Sequence, residues 1–435
     1  MGKKKSLTYD TSIPLLAVYL YARRVGTLGV SGSDVWFKYD SWVIDDPTPN
    51  RWRLSIRLPI TSETYGHEPT LVFFDNLLLE SDLRREIASL TKQDSSDMPG
   101  LLGRVGGECA GAVAIWPIAT EPPPTATYRP ISHADLENAF SEAHGARLSQ
   151  LQLESRQSMS GVQHKLVFTK TGDTYNLPIN GSPSSLLLKR TSGRYDGLAI
   201  NEHACMLLFA RLGLQVPFTQ VLDGPNGILE IARFDRKETS PGAIERIHQE
   251  DFCQASGRRV TAKYQAHGGP GLRDIAEIIR RHSLATAVDI QDLVRAAIAN
   301  VALGNLDAHA KNFALLAEED GLRLAPFYDI VCNEAYPDLD VEYSMNFGTA
   351  RYPRALVHTD LRQFAKDLNV TPKLVVNEIE FVTATFEKAV PEILHDVSER
   401  VGAAPILDAI STIVTTRNAT LRSMVIAPER RVTGS

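Results

Sequence analysis

Gly304-Asn305-Leu306-Asp307-Ala308-His309-Ala310-Lys311-Asn312 is the stretch on which the reading of this 435-residue chain turns. It follows an apolar-periodic segment and precedes a short apolar run that leads to Leu324-Ala325-Pro326-Phe327-Tyr328-Asp329. An Asp, an Asn five residues on and a second Asp past the next strand-turn form the carboxylate and amide spacing of a phosphotransfer site. Phosphoryl transfer needs a carboxylate to orient an attacking hydroxyl and take its proton, and hard oxygen ligands to hold Mg2+ against phosphates. Asp307 reads as the catalytic residue, Asn312 and Asp329 as the metal ligands. His309 and Lys311 lie between them, where a cation meets the transferred phosphate. The competing reading is a polar loop capping a helix, with Gly304 at C′ and Asp307 and Asn312 as turn formers.

Just upstream, Ile290, Leu293, Val294, Ala297, Ile298 and Val301 recur at helical spacing. They predict a packed helix that delivers the Asp307 loop from a rigid base. Downstream, amphipathic helices are expected from Thr359, from Thr371-Pro372 with proline at N1, and through Ile406, Ile410 and Ile413. The tail after about Ala427 is polar.

Further toward the N-terminus, Ser158-Met159-Ser160-Gly161-Val162-Gln163-His164-Lys165 precedes the apolar run Leu166-Val167-Phe168. Small residues there suit a loop whose backbone N–H groups approach phosphate oxygens, with Lys165 as a supporting cation. An ordinary serine-rich turn reads the same, and the GxxxxGK[ST] pattern is absent. Ser185 to Lys189 ends an apolar strand on a lysine, the strand-borne ammonium that a nucleotide kinase directs at the α and β phosphates. Glu202, in the first turn of the next predicted helix, is within reach of Lys189 or simply favours the helix N-terminus. Ile228 to Arg236 reads as a strand leaving the core, and His248 and Glu250, without HExxH spacing, read as structural.

The first part of the chain alternates β-rich runs, Leu15–Leu20, Val35–Tyr39 and Trp52–Ile56, with Gly26, Gly29 and Gly32 between them. They predict a small antiparallel sheet, closed by the segment from Gly103 to Ile115. A helical pattern opens at Phe73. Pro122-Pro123-Pro124 marks a boundary, and Ser132 with Asp135 resembles a capping box. The expected parts are 1–125, β-rich; 126–255, α/β with the phosphate loop and hinge; and 256–435, helical with the catalytic and metal-binding loops.

With 43% hydrophobic residues the chain can bury a large core, and its net charge of −6 gives no global positive field for direct nucleic-acid binding. Cys109, Cys205, Cys253 and Cys332 lack CxxC spacing and read as buried thiols in a reducing compartment rather than a zinc site. There is no apolar run long enough to cross a membrane and no signal-peptide core, so a cytoplasmic protein is expected. Met1-Gly2-Lys3-Lys4-Lys5-Ser6 fits a loose myristoylation pattern, for which a frayed basic terminus is the plainer reading.

Taken in order, Phe73 to Leu78, Gly111-Ala112-Val113, Ser158 to Lys165, Arg233-Phe234-Asp235-Arg236, Gln249-Glu250-Asp251, Gly268-Gly269-Pro270, Asn305 to Asn312 and Leu324 to Asp329 resemble the HipA-type serine/threonine kinases. That family supplies the toxin half of bacterial toxin–antitoxin pairs. The resemblance implies an α+β, two-lobed, protein-kinase-like fold: a mixed α/β N-terminal part with antiparallel sheets and a mostly helical C-terminal lobe. It implies ATP and Mg2+ between the lobes. The expected ATP contacts are Ser160, Gly161, Val162, Gln163, His164, Lys165, Lys189, the hinge residues Ala232, Arg233 and Phe234, and Asp307, His309, Lys311, Asn312, Tyr328 and Asp329. It further implies autophosphorylation in the serine loop. Ser158 aligns with the modified serine and Ser160 is an added hydroxyl. The implied partners are a HipB-like helix-turn-helix antitoxin, operator DNA mainly through that antitoxin, and a translation protein as substrate, an aminoacyl-tRNA synthetase such as glutamyl-tRNA synthetase. A catalytically silent corepressor module and a small-molecule kinase are the readings from other classes.

Overall fold

Runs of β-branched and aromatic residues between tight turns build the first sheet. In the computed structural model the described residues are 15–140, 145–159, 163, 165–190, 195–222, 227–240, 242–339 and 341–426. The polar tail after Ala427 and the N-terminal lysines lie outside them. Leu16–Leu20 pairs antiparallel with Arg23–Ser31 on one side and with Val113–Pro117 on the other, and Asp34–Tyr39 completes the sheet. Segment Gly103 to Ile115 thus closes this sheet, as expected.

Trp52–Ile56, expected as a strand, is not one. Pro49–Trp52 forms a 3-10 turn. Beyond it the N–H of Leu54 donates to the Tyr39 phenol oxygen at 3.0 Å and that of Ile56 to Glu250 Oε1 at 3.0 Å. Side chains satisfy the donors that a ladder would have used. The pattern from Phe73 forms two helices rather than one, His67–Asp75 and Ser81–Thr91. Half of the Ser132 capping box is formed ahead of helix His133–Phe140: Ser132 Oγ accepts from the Asp135 N–H at 3.1 Å, while the Asp135 carboxylate accepts from the Ser132 hydroxyl at 2.7 Å.

The chain folds as two compact units, each gathered from separate segments. The first holds residues up to Arg190, Glu230–Ala262 and Ala314–Leu322; the second holds Thr191–Leu229, Lys263–Phe313 and Arg323 onward. Besides its N-terminal sheet, the first unit has antiparallel strands Leu186–Arg190, Lys165–Thr171, Thr174–Ile179 and Thr127–Ile131 in that order. Gln249–Asp251 pairs with Ala314–Glu318.

Within the first unit an ionic core ties segments that are far apart in sequence. Glu108, fully buried, meets Arg233 at 2.9 Å, Arg236 at 2.9 Å and Arg246 at 2.5 Å, while Asp235 meets Arg233 at 2.8 Å and Arg236 at 3.0 Å. Burial alone would raise the Glu108 carboxyl, but the three guanidinium groups outweigh it and hold the group well below its ordinary range. Asp235 is held down to about 2 by the same balance of burial against Arg233 and Arg236. Gly111 stands where its N–H donates to Asp235 at 2.7 Å, with φ +71 and a Cβ that would lie 2.7 Å from the Gln249 nitrogen. A side chain there is strained and crowded.

The second unit is helical. Leu198–Arg211, Thr286–Leu303, Pro372–Val401 and Pro405–Ile426 pack on one another, with Leu272–His282 and His358–Asp367 at their flanks. Thr371 caps the longest of these through the Leu374 N–H, with Pro372 at N1. Asp289, in the first turn of Thr286–Leu303, is buried and grips Arg323 at 2.8 Å and the Leu324 N–H at 2.9 Å. All four cysteines are buried free thiols. No helix of the described residues is long and apolar enough to cross a membrane.

Candidate active site

The apolar stripe of Thr286–Leu303 is buried in the second unit, and the helix ends where Gly304 takes φ +65 and caps the Asn300 and Val301 carbonyls. A Cβ at Gly304 would lie 2.8 Å from Glu334 and 2.9 Å from Ile413, so both conformation and space call for glycine. Asn305 then donates to Asn300 Oδ1 at 2.8 Å, and the Asp307 N–H donates to Asn305 Oδ1 at 3.2 Å. The loop leaves a rigid helix through a chain of amides.

The loop closes on itself. The Asp307 carbonyl accepts from the His309 N–H at 2.8 Å and from Asn312 Nδ2 at 2.9 Å. Nδ2 being committed, the amide orientation of Asn312 is fixed, and its Oδ1 is the atom of that side chain able to ligate a cation. The Tyr328 hydroxyl donates to the Lys311 carbonyl at 2.6 Å, which joins the second acidic segment to the first. Asn201, on Leu198–Arg211, grips that segment on its far side: it donates to the Cys332 carbonyl at 3.0 Å and accepts from the Cys332 N–H at 2.8 Å. Between these anchors Asp329 adopts φ +58, a left-handed conformation that costs a non-glycine residue about 1–3 kcal/mol. Such strain is kept where a side chain must be aimed.

Asp307 is half-buried, and its Oδ1 accepts from the Tyr264 hydroxyl at 3.0 Å and from Ser344 Oγ at 3.5 Å. Burial pushes its carboxyl up to about 6. Lys263 pulls it down, the nearby Asp329 charge pushes it up, and the Tyr264 and Ser344 bonds pull it down. A group so balanced is poised to exchange a proton near neutrality. A cavity of about 290 Å³ opens beside it, bordered by Tyr264, His267, Leu306, Leu339, Glu342 and Tyr343. A larger one, about 720 Å³, lies in the first unit among Tyr19, Tyr21, Trp116 and Arg246. None of the residues expected to carry chemistry lines it, so size does not find this site.

The second unit therefore brings together Asp307, His309, Lys311, Asn312, Tyr328 and Asp329. Gln163, Lys165, Lys189, Ala232, Arg233 and Phe234 belong to the first. Lys165 opens strand Lys165–Thr171 and Lys189 lies on Leu186–Arg190, both buried. Ala232 ends Ile228–Ala232. Arg233 spends its N–H on the Ser185 carbonyl at 2.9 Å and its guanidinium on the ionic core. Ser160, Gly161, Val162 and His164 lie outside the described residues. Ser158 is fully buried, pairs with Cys109 and donates its hydroxyl to the Leu77 carbonyl at 2.8 Å. His248 and Glu250 are buried and bonded to Leu54, Ser55 and Ile56, a structural role.

Tyr264, Ser344, Asn201 and Asn333, whose Oδ1 accepts from the Asp307 N–H at 3.3 Å, are absent from any motif reading. They come from distant segments, and no local spacing marks them.

The oxygen donors fit Mg2+: one carboxylate at Asp329 and one amide oxygen at Asn312, a set completed by phosphate oxygens and water rather than by an all-protein cage. Among the described residues no cluster of three His, Cys, Asp or Glu forms such a cage.

Two family models cover most of the chain. The HipA N-terminal domain matches residues 16–116, and the HipA-like C-terminal domain matches residues 157–390. The chain belongs to the HipA family. A putative kinase of Sinorhizobium fredii, Y4mE, is 34% identical over 84% of this HipA-family chain and 88% of its own length. The serine/threonine-protein kinase toxin HipA of Shewanella oneidensis is 28% identical over 68% of this chain and 70% of its own. The solved complex of a Shewanella oneidensis HipA with HipB and operator DNA superposes with a TM-score of 0.74, at 22% identity, over 94% of this chain and 96% of that one. The kinase-like HipA fold, α+β with antiparallel sheets and a helical C-terminal region, is thus the fold of this chain.

Proposed function

We propose that this HipA-family chain is an ATP-dependent serine/threonine protein kinase toxin. The observation that carries the reading is the closed Asp307–Asn312 loop, with Asn312 locked on the Asp307 carbonyl and Asp329 tethered beside it through Tyr328 and Asn201. Asp307 orients the acceptor hydroxyl and receives its proton as the hydroxyl oxygen bonds to the γ-phosphorus. The bond from that phosphorus to the bridging oxygen breaks, and ADP leaves with the electron pair. Asn312 and Asp329 hold Mg2+, which when bound neutralises the phosphate charge. Lys189, Lys165, the loop from Ser160 to His164, His309 and Lys311 contact ATP, and Ala232 to Phe234 act as the hinge. The division at 125 and 255 belongs to the same reading.

The finer reading rests on family likeness. The acceptor is a serine of a translation protein, an aminoacyl-tRNA synthetase such as glutamyl-tRNA synthetase. The chain phosphorylates its own Ser158 or Ser160, adding about −1.5 to −2 charges that repel the triphosphate. A HipB-like antitoxin neutralises it in the cytoplasm, and operator DNA is met mainly through that partner. This agrees with the net charge of −6 and with the partners of the Shewanella oneidensis protein.

Intact-mass measurement after incubation with Mg-ATP, beside Asp307→Ala, tests it. One or two added phosphates that map to Ser158 or Ser160 and vanish in Asp307→Ala are expected. ATP binding without phosphate on the chain or on added translation proteins would move it to the class of silent binding modules.

A further inference from the structure

Among the described residues, two side-chain hydrogen bonds to the Asp307 carboxylate fall on one oxygen, Oδ1, and the stronger comes from a residue outside every motif. Tyr264 donates to it at 3.0 Å, Ser344 at 3.5 Å. Tyr264 is itself built in. Its carbonyl accepts from the N–H groups of His267 at 3.0 Å and Gly269 at 2.9 Å. The Gln265 N–H donates to the Ser344 carbonyl at 2.9 Å, and the Ser344 N–H donates to the Leu306 carbonyl at 2.9 Å. Its ring meets His309 and His267 edge-on, with centroids 5.2 Å and 5.8 Å away. Three segments thus hold one phenol against one carboxylate oxygen, and Tyr264 and Asp307 both border the 290 Å³ cavity.

We infer that Tyr264 is a positioning residue for phosphoryl transfer: its hydroxyl pins Asp307 Oδ1, which turns the other carboxylate oxygen to the acceptor hydroxyl entering through that cavity. A carboxylate is free to rotate about its Cβ–Cγ bond. With Oδ1 pinned, one orientation is populated, and the oxygen that takes the proton keeps its lone pairs for the incoming serine or threonine. Misalignment of a catalytic group by about 1 Å costs on the order of a hundredfold in rate. Ser344 has one hydroxyl proton, which goes to the Leu306 carbonyl at 2.8 Å, and it reaches the same Asp307 oxygen only at the limit of hydrogen bonding, so it is the weaker support. The inference rests on the kinase reading above.

Tyr264→Phe removes the hydroxyl and keeps the ring. The measurements are phosphate incorporation into the full chain from Mg-ATP, binding of Mg-ADP, and the thermal midpoint. The expected result is kcat lower by roughly ten- to a hundredfold, with KM for ATP, Mg-ADP affinity and the midpoint unchanged, and a smaller loss for Ser344→Ala. An equally active Tyr264→Phe, or a loss confined to KM or to the midpoint, overturns the assignment. An inactive wild-type chain overturns the kinase reading and this inference with it, whereas an active wild type with an unaffected variant overturns this inference alone.

Discussion

A single buried carboxyl carries a pH signature that can be read in stability. Glu250 accepts from the Ser55 hydroxyl at 2.6 Å and the Ile56 N–H at 3.0 Å, yet burial outweighs both bonds and pushes its pKa up to about 7. In the unfolded chain a Glu titrates near about 4.3. Between these values the unfolded chain gives up a proton that the folded chain keeps. The stabilisation is therefore full below about pH 4.3 and fades as pH rises to about 7, an effect on the order of 2–3 kcal/mol. Glu250→Gln removes the titration, so its stability relative to wild type should rise by that order between pH 5 and pH 8 in denaturant unfolding. A difference equal at both pH values would mean that Glu250 titrates normally.

At the level of elements, the Asp329 segment depends on a helix to which it has no sequence proximity. Asn201→Ala removes both bonds to Cys332 and leaves a buried N–H and carbonyl unmet, a cost of about 1–3 kcal/mol. A lower thermal midpoint is expected, together with a severalfold higher Mg2+ concentration for half-maximal phosphate transfer; an unchanged Mg2+ requirement would mean that Asn201 does not position Asp329. This dependence also shows what the chain makes legible. The stripe from Ile290 to Val301 and the stop at Gly304 are visible because helix period and left-handed capping are local properties. Trp52 to Ile56 has strand composition, but the phenol of Tyr39 and the carboxylate of Glu250 take its donors, and neither appears in the local pattern. Tyr264 lies 43 residues before Asp307 and Asn201 lies 131 residues before Cys332, so their roles exist only once the fold has paired them. The Asp and Asn types were readable because the chemistry demands them at fixed spacing; their support was not.

For the whole molecule, the ionic core of the first unit sets a condition on its integrity. A fragment ending at Arg190 retains Glu108 but lacks Arg233, Arg236 and Arg246, the groups that match its charge, and also lacks the Gln249–Asp251 and Ala314–Glu318 strands. Removing the partners of a buried charge costs about 3–5 kcal/mol, a large share of a domain's usual stability. No cooperative thermal transition is expected from that fragment by circular dichroism, and a sharp native-like transition would show the N-terminal segment to be autonomous.

The alternation of segments between the two units also has a bearing on the newborn chain. Because the first unit needs residues as far as Leu322, it cannot be completed when Arg190 leaves the ribosome. At about 5–20 residues per second, several seconds or more of further translation separate those moments. Glu108 gains its guanidinium partners once Arg246 is out, but the Ala314–Glu318 strand is still missing then, and the nascent polypeptide is exposed to chaperones rather than finished piece by piece. Asp307 and the far end of the first unit emerge close together, so Lys165 and Lys189, though made early, sit in a completed unit only at about the time that Asp307 appears.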